Sequence, residues 1–322
     1  MKGLTIFAAT AVAFSGTAAF GVWVYKGKWG SEGSGSGQFK LPNGVAVGAG
    51  DAVYVTDGTL DRVQYFTKNG SFLGRWGVKG SASGQFKRPN GVAVATNGDV
   101  YVTDGGNYRV QYFTKDGNFL GTWGSRGSGP GRFTEPYGVA VAPNGTVYVT
   151  DAANDRVQYF TRNGAYLGGW GTNGSGEGEF KGPLGAGVAP NGNFYVADSG
   201  NHRVQYFTAK GVYLGRWGRS GSGDGEFDNP AGVAVMPNKD VFVADWFNHR
   251  VQYFTAAGSF LGKWGARGSG NGQFQYPRGV AVSRDGERVY VADTVNYRVQ
   301  YFVWSDPAVE PISVGRVKAL FK

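Results

Sequence analysis

The chain of 322 residues contains no cysteine. Disulfides and thiolate zinc sites are therefore excluded, and the redox compartment is left open. Histidine is nearly absent as well, with only His202 and His249. A centre that needs several converging imidazoles, for a metal or for proton transfer, has too few of them. Charge is present but not clustered: the formal net charge is +9, yet no run of five or six basic residues occurs. That balance favours acidic partners or an anionic surface, without the signature of nucleic-acid binding. The glycine-rich stretches "GSGSGQF" and "GSGDGEF" lack the Gly-Lys-Ser/Thr ending of a phosphate-cradling loop. They are expected to be flexible surface loops.

Glycine and aromatic residues are abundant. Glycine accounts for 57 residues, about 18% against an average near 7%. Aromatics make up 15%. Many tight turns together with many large rings point to an all-β chain, and the ring content argues against disorder.

The N-terminus reads "MKGLTIFAATAVAFSGTAAFG". Lys2 is followed by the apolar stretch Leu4–Phe14 and by small residues, with Thr17 and Ala19 at −3 and −1. This is the pattern of a secretory signal peptide cut after Ala19, covering residues 1–19. A secreted or periplasmic location is expected. The alternative is an uncleaved membrane anchor, since Leu4 to Val24 carries no charge over 21 residues. No cysteine follows, which excludes a lipoprotein.

One unit occurs six times. A proline before "xG" falls at Pro42, Pro89, Pro136, Pro183, Pro230 and Pro277, every 47 residues. "RVQYF" begins at Arg62, Arg109, Arg156, Arg203, Arg250 and Arg298. The last interval is 48, because "SRDGERVYV" carries an extra residue. Each unit reads as four β-branched and aromatic strands: "GVAV", "VYVTD" or "VYVAD", "RVQYF", and "FLGRWG". Asn-Gly and Asp-Gly pairs such as Asn97-Gly98 and Asp116-Gly117 predict type I′ hairpins between them. The fold expected is a six-bladed β-propeller of four-stranded antiparallel blades. The sixth unit lacks a fourth strand, whereas "VYKGKWG", Val24 to Gly30, matches "SFLGRWG", Ser71 to Gly77. The N-terminal strand is expected to complete the last blade and close the ring, removing the open edges.

The segment "GVAV…VYVADSGNHRVQYF…GVYLGRWGRSGSGDGEF" resembles the NHL repeat over residues 20–302. The resemblance implies a propeller with a central channel. It also implies one of several roles: extracellular sensing, protein interaction, RNA binding or, in some members, metal-dependent lyase activity. Fold alone does not choose among these. The tail, residues 303–322, lies outside the resemblance; Val314, Val317, Leu320 and Phe321 would share one face of a short helix.

Function is sought where the six copies differ. The residue between proline and glycine, expected to rim the channel mouth, is Asn43, Asn90, Tyr137, Leu184, Ala231 and Arg278. The loop between strands two and three is the other variable slot. There Trp246 and Phe247 replace the small residues of the other copies. The ligand-binding candidates are Trp246, Phe247, Tyr137, Leu184, Arg278 and Arg88, with Glu135 nearby. Two six-fold sets are expected to be structural. One is Asp57, Asp104, Asp151, Asp198, Asp245 and Asp293; the other is Arg62, Arg109, Arg156, Arg203, Arg250 and Arg298. The function expected is an extracytoplasmic propeller that binds a protein, peptide or glycan on one face. The alternatives are a metal-dependent lyase-like enzyme and an RNA-binding domain. The RNA reading rests on charge and aromatics, and the secretion signal argues against it. No catalytic residue, metal site or cofactor is expected. A membrane is involved only if the N-terminus stays as an anchor, and a monomer is expected.

Overall fold

In the computed structural model, residues 21–305 are described. Residues 1–19, expected to be a signal peptide, and the tail positions Val314 to Phe321 fall outside them. Among the described residues, no helix is long and apolar enough to cross a membrane. The chain divides into a body, Tyr25–Val303, and a small unit of the two flanking ends. Within the small unit, Trp23 and Trp304 meet edge to face with centroids 5.5 Å apart.

The body holds six four-stranded sheets, each an antiparallel meander. In the first, Pro42–Val47 is innermost, followed outward by Val53–Asp57, Arg62–Phe66 and Phe72–Trp76. The second and third strands pair in register, Val55 opposite Gln64 and Asp57 opposite Arg62. Every residue of Val53–Asp57 is buried, because the blade is covered on both faces by its neighbours. The phenylalanine that ends each glycine-rich link, such as Phe39 or Phe86, is fully buried. Each contributes roughly 1.5–3 kcal/mol by burial. The links are not the flexible loops expected. Arg62 donates to the carbonyls of Ser34, Gly35 and Gln38, and Gln64 binds Gly37 and Gln38. The repeated arginine and glutamine thus clamp each link to the third strand.

The sixth sheet combines Val22–Trp29 with Pro277–Val282, Arg288–Asp293 and Arg298–Ser305, and the N-terminal strand takes the outer edge. Trp29 lies 5.6 Å from Phe66, just as Trp76 lies 5.6 Å from Phe113 in the next blade. The N-terminal strand therefore does the packing work of a fourth strand. The seam is also hydrogen-bonded: Thr294 donates to Pro42 O at 2.8 Å and Tyr290 to Lys68 O at 3.1 Å.

The hairpins differ from the type I′ turns expected. Gly98, Gly117 and Gly145 have φ of 94°, 88° and 88°, but the residues before them stay outside the left-handed region. Gly98 N donates to Ala95 O, and Ala95 N to Asp99 O. This is a type I turn closed by a left-handed glycine, the three-residue hairpin with a bulge.

The glycine after the mouth position lets the blades close around the axis. A Cβ on Gly91 would lie 2.6 Å from Tyr137 O, and one on Gly44 would lie 2.7 Å from Asn90 O. Side chains at the mouth position are thereby gathered around one narrow opening. Blades one to three add a stitch: Thr56, Thr103 and Thr150 donate to the carbonyls of Asn90, Tyr137 and Leu184 in the following blade at 2.5–2.6 Å. The later blades have Ala197, Ala244 and Ala292 there, which cannot donate.

Candidate ligand site at the channel mouth

The loop between strands two and three is held by a repeated polar frame. In blades two to six, Asp104, Asp151, Asp198, Asp245 and Asp293 accept from the Nε of Arg109, Arg156, Arg203, Arg250 and Arg298 at 2.6–3.3 Å. An asparagine in the same loop, such as Asn107 or Asn201, joins the aspartate to a link carbonyl. Every one of these aspartates is fully buried, and its partners satisfy it. Burial pushes the Asp104, Asp245 and Asp293 carboxyls up, against the pull of their hydrogen bonds. The first blade departs from the scheme. Leu60 stands where the others have asparagine. Asp57 turns to the amides of Lys40, Leu41, Thr59 and Leu60, and the buried Nε of Arg62 has no hydrogen-bond partner.

The residue before each of these arginines is left-handed in all six blades, with φ between 51° and 58°. In four blades its side chain accepts a hydrogen bond from the backbone of the next blade. Asp61 accepts from Arg88 N at 2.8 Å and Asp155 from Gly182 N at 2.7 Å. His202 and His249 do the same through Nδ1, from Asn229 N at 3.2 Å and Tyr276 N at 3.1 Å. The four donors, each just before a blade's first proline, are themselves left-handed, with φ of 51–57°. Where the position is Tyr108 or Tyr297, no such bond forms. Glu135 N and Leu41 N then turn to Asp151 and Asp57 of their own blade. One side chain in each blade thus selects the backbone conformation at the entrance of the next. The two histidines are pins between blades, and each must carry a lone pair on Nδ1 to serve.

Inside this frame, five of the six ligand candidates meet. Arg88, Tyr137, Leu184, Trp246 and Arg278 line one bowl of about 240 Å³ at the mouth. Phe247 lies in the adjoining recess, 41% exposed and 4.6 Å from Trp246, with its other side against Tyr276. Arg278 is the best fixed of the group. Its guanidinium lies over the Trp246 ring, 4.6 Å from the centroid, and its Nη1 donates to Asn43 Oδ1 at 3.0 Å. Its Nε and the Trp246 indole nitrogen are buried without a hydrogen-bond partner. The Tyr137 phenol is held protonated: burial pushes it up, the charge of Glu135 adds to this, and Arg278 and Arg88 oppose it. Asn43, Asn90, Tyr137 and Arg278 also line an inner channel of about 60 Å³, so they form the floor of the bowl. Sequence reasoning placed Asn43 at the rim without making it a ligand candidate, and passed over Leu41. Asn43 is separated from Arg278 by 235 residues, and only ring closure makes the two blades neighbours.

The bowl offers two cations, one phenol donor, a rim carboxylate and apolar walls. Among the described residues, no group of three or more His, Asp or Glu side chains is arranged to hold a metal ion.

Comparison with known proteins places the chain. The NHL repeat family model matches residues 86–113, 133–160, 180–207, 227–254 and 274–302. The equivalent stretch of the first unit, 39–66, is unmatched and is the one carrying Leu60. No curated protein matches the sequence. Among solved structures, a streptogramin B lyase superposes with a TM-score of 0.62 at 13% identity, covering 90% of this chain and 100% of that one. A gluconolactonase from Xanthomonas campestris gives 0.61 at 17% identity, covering 84% and 88%. A Bacteroides thetaiotaomicron protein of unknown function gives 0.66 at 17%, covering 87% and 76%. At such identities the likeness is one of fold. With five matched repeats, a sixth copy of the same unit and a closed ring of six blades, this chain belongs to the NHL-repeat β-propellers.

Proposed function

We propose that the protein is an extracytoplasmic ligand-binding propeller whose partner docks on the face carrying the channel mouth. One observation carries the reading: Arg88, Tyr137, Leu184, Trp246 and Arg278, drawn from positions where the six units differ, line one bowl. The surrounding frame is nearly invariant from blade to blade. A loop frame with buried, satisfied hydrogen bonds presents these groups with little ordering cost. Trp246 and the exposed Phe247 supply the aromatic contact area that recognition sites favour. A protein, peptide or glycan partner fits such a face. The extracytoplasmic assignment rests on the apolar N-terminal stretch with small residues at Thr17 and Ala19.

The test is affinity capture from the native extracytoplasmic fraction, comparing the wild type with the Trp246→Ala/Arg278→Ala double variant. The double variant is expected to lose the specific partner while its melting temperature changes little. Undiminished capture would move the site elsewhere. Stoichiometric zinc or calcium in the purified protein would instead favour an enzymatic, lyase-like role.

A further inference from the structure

We infer that the bowl receives a small monocarboxylate with an apolar body, and that Arg278 is the group that binds its carboxylate. The inference rests on the channel-mouth reading above and adds, beside the macromolecular partner proposed there, a small ligand seated in the bowl.

The first observation is a cation without a counter-ion. The frame arginines of blades two to six each pair with an aspartate. Arg278 and Arg88, by contrast, have no carboxylate partner among the described residues. Asn43 takes one Nη1 hydrogen but, being uncharged, neutralises nothing. Trp246 covers one face of the guanidinium and the Tyr137 hydroxyl lies beside it, so a carboxylate would take the hydrogens that Asn43 and Tyr137 leave. A planar fork with fixed donors matches a carboxylate better than a spherical ion.

The second observation is the character of the surroundings. The Tyr137 hydroxyl, kept protonated by burial, is a further donor on the floor. Leu41, Leu184 and Trp246 are apolar walls. Glu135 stands among the lining groups beside Tyr137 and opposes a second negative charge. Size adds a limit. The inner channel, at about 60 Å³, has room for water but not for a ligand. The bowl, at about 240 Å³, falls below the volume usual for drug-sized molecules.

The experiment is calorimetric titration with indole-3-acetate and with indole-3-acetamide, matched in shape and differing in charge, alongside inorganic phosphate. Indole-3-acetate is expected to bind at least tenfold more tightly than the amide. Arg278→Gln should erase that difference, and Arg88→Gln, at an exposed rim residue, should reduce it. Melting curves establish that each variant is folded; if Arg278→Gln fails to fold, the Arg88→Gln result decides. Equal affinity for acid and amide, tighter binding of phosphate, or no saturable binding of either indole would overturn the inference. None of these results bears on the capture experiment with Trp246→Ala/Arg278→Ala, whose failure would overturn the channel-mouth reading itself.

Discussion

Arg278 and Trp246 face each other across a blade boundary, guanidinium carbon to ring centroid 4.6 Å. Trp246 belongs to the loop after Val241–Asp245 in the fifth blade, and Arg278 to the first strand of the sixth. Neither position is special in the repeat. Each becomes so because one copy put a large aromatic where the others have small residues and the next copy put a cation at the mouth. A partly desolvated cation–π contact of this kind is worth about 1–2 kcal/mol, enough to hold the guanidinium in place before any ligand arrives.

The His249 pin makes stability depend on pH. Burial is the main cause that lowers the His249 imidazole below its usual value, and the charge of Arg267 adds to it, while Asp293 opposes. The native state therefore binds fewer protons at this site than the unfolded chain. Stability is unaffected well above pH ~6.5, the unfolded value, and falls as pH drops below it, until the native imidazole also protonates. Asp61 and Asp155 make the same bond in other blades. His249→Asp is expected to keep the pin and flatten the acid limb of the stability profile between pH 5 and 6.5, on the order of the range where histidine titrates. His249→Ala should lower stability at all pH values. Urea melts across pH measure both.

Leu60→Asn is expected to stabilise the protein. The asparagine can join Asp57 to the link carbonyl, as Asn107 does with Asp104 and Gly80 in the second blade. That would free the Asp57 carboxylate to meet the unpartnered Nε of Arg62. The gain expected is roughly 0.5–1.5 kcal/mol per hydrogen bond recovered, read as a rise in denaturant midpoint. An unchanged or lowered midpoint would mean that Asp57 is better placed on the loop amides.

Gly91→Ala should cost about 1–3 kcal/mol by overpacking, since the new methyl would sit 2.6 Å from Tyr137 O and 3.0 Å from Val139 N. Because Tyr137 is on the bowl floor, ligand capture should weaken together with the melting temperature. Gly98→Ala, with open space around its Cβ but φ of 94°, should lower stability and leave capture intact. The contrast separates steric crowding at the axis from turn strain on the opposite face.

Most of the fold was legible because a period of 47 residues exposes the blade directly. The match of "VYKGKWG" to "SFLGRWG" likewise announced the strand that closes the ring. The turn type was not legible from Asn-Gly alone, since one left-handed residue or two satisfy the same dipeptide. The variable slots pointed to Trp246, Tyr137, Leu184 and Arg278, which lie in one bowl with Arg88, the candidate just outside them. Asn43 was legible as a rim residue, but its partnership with Arg278 was hidden because it exists only once the first and last blades touch. The histidines were too few in the sequence to suggest a metal or proton-transfer centre. Their role as pins is visible only on comparing each copy with the backbone 27 residues on, where Asp or His precedes a left-handed residue and tyrosine does not.

The bond from Arg278 to Asn43 has a further meaning. It crosses the seam between the last blade and the first, so the bowl's best-fixed cation gains its hydrogen-bond anchor only in a closed ring. An open or partly assembled chain would keep the stacking of Arg278 on Trp246 but not the hydrogen bond to Asn43. Binding at the mouth would therefore report on completion of the circle. By mass action, a ligand seated there would hold the seam shut, acting as a keystone for the propeller that presents it.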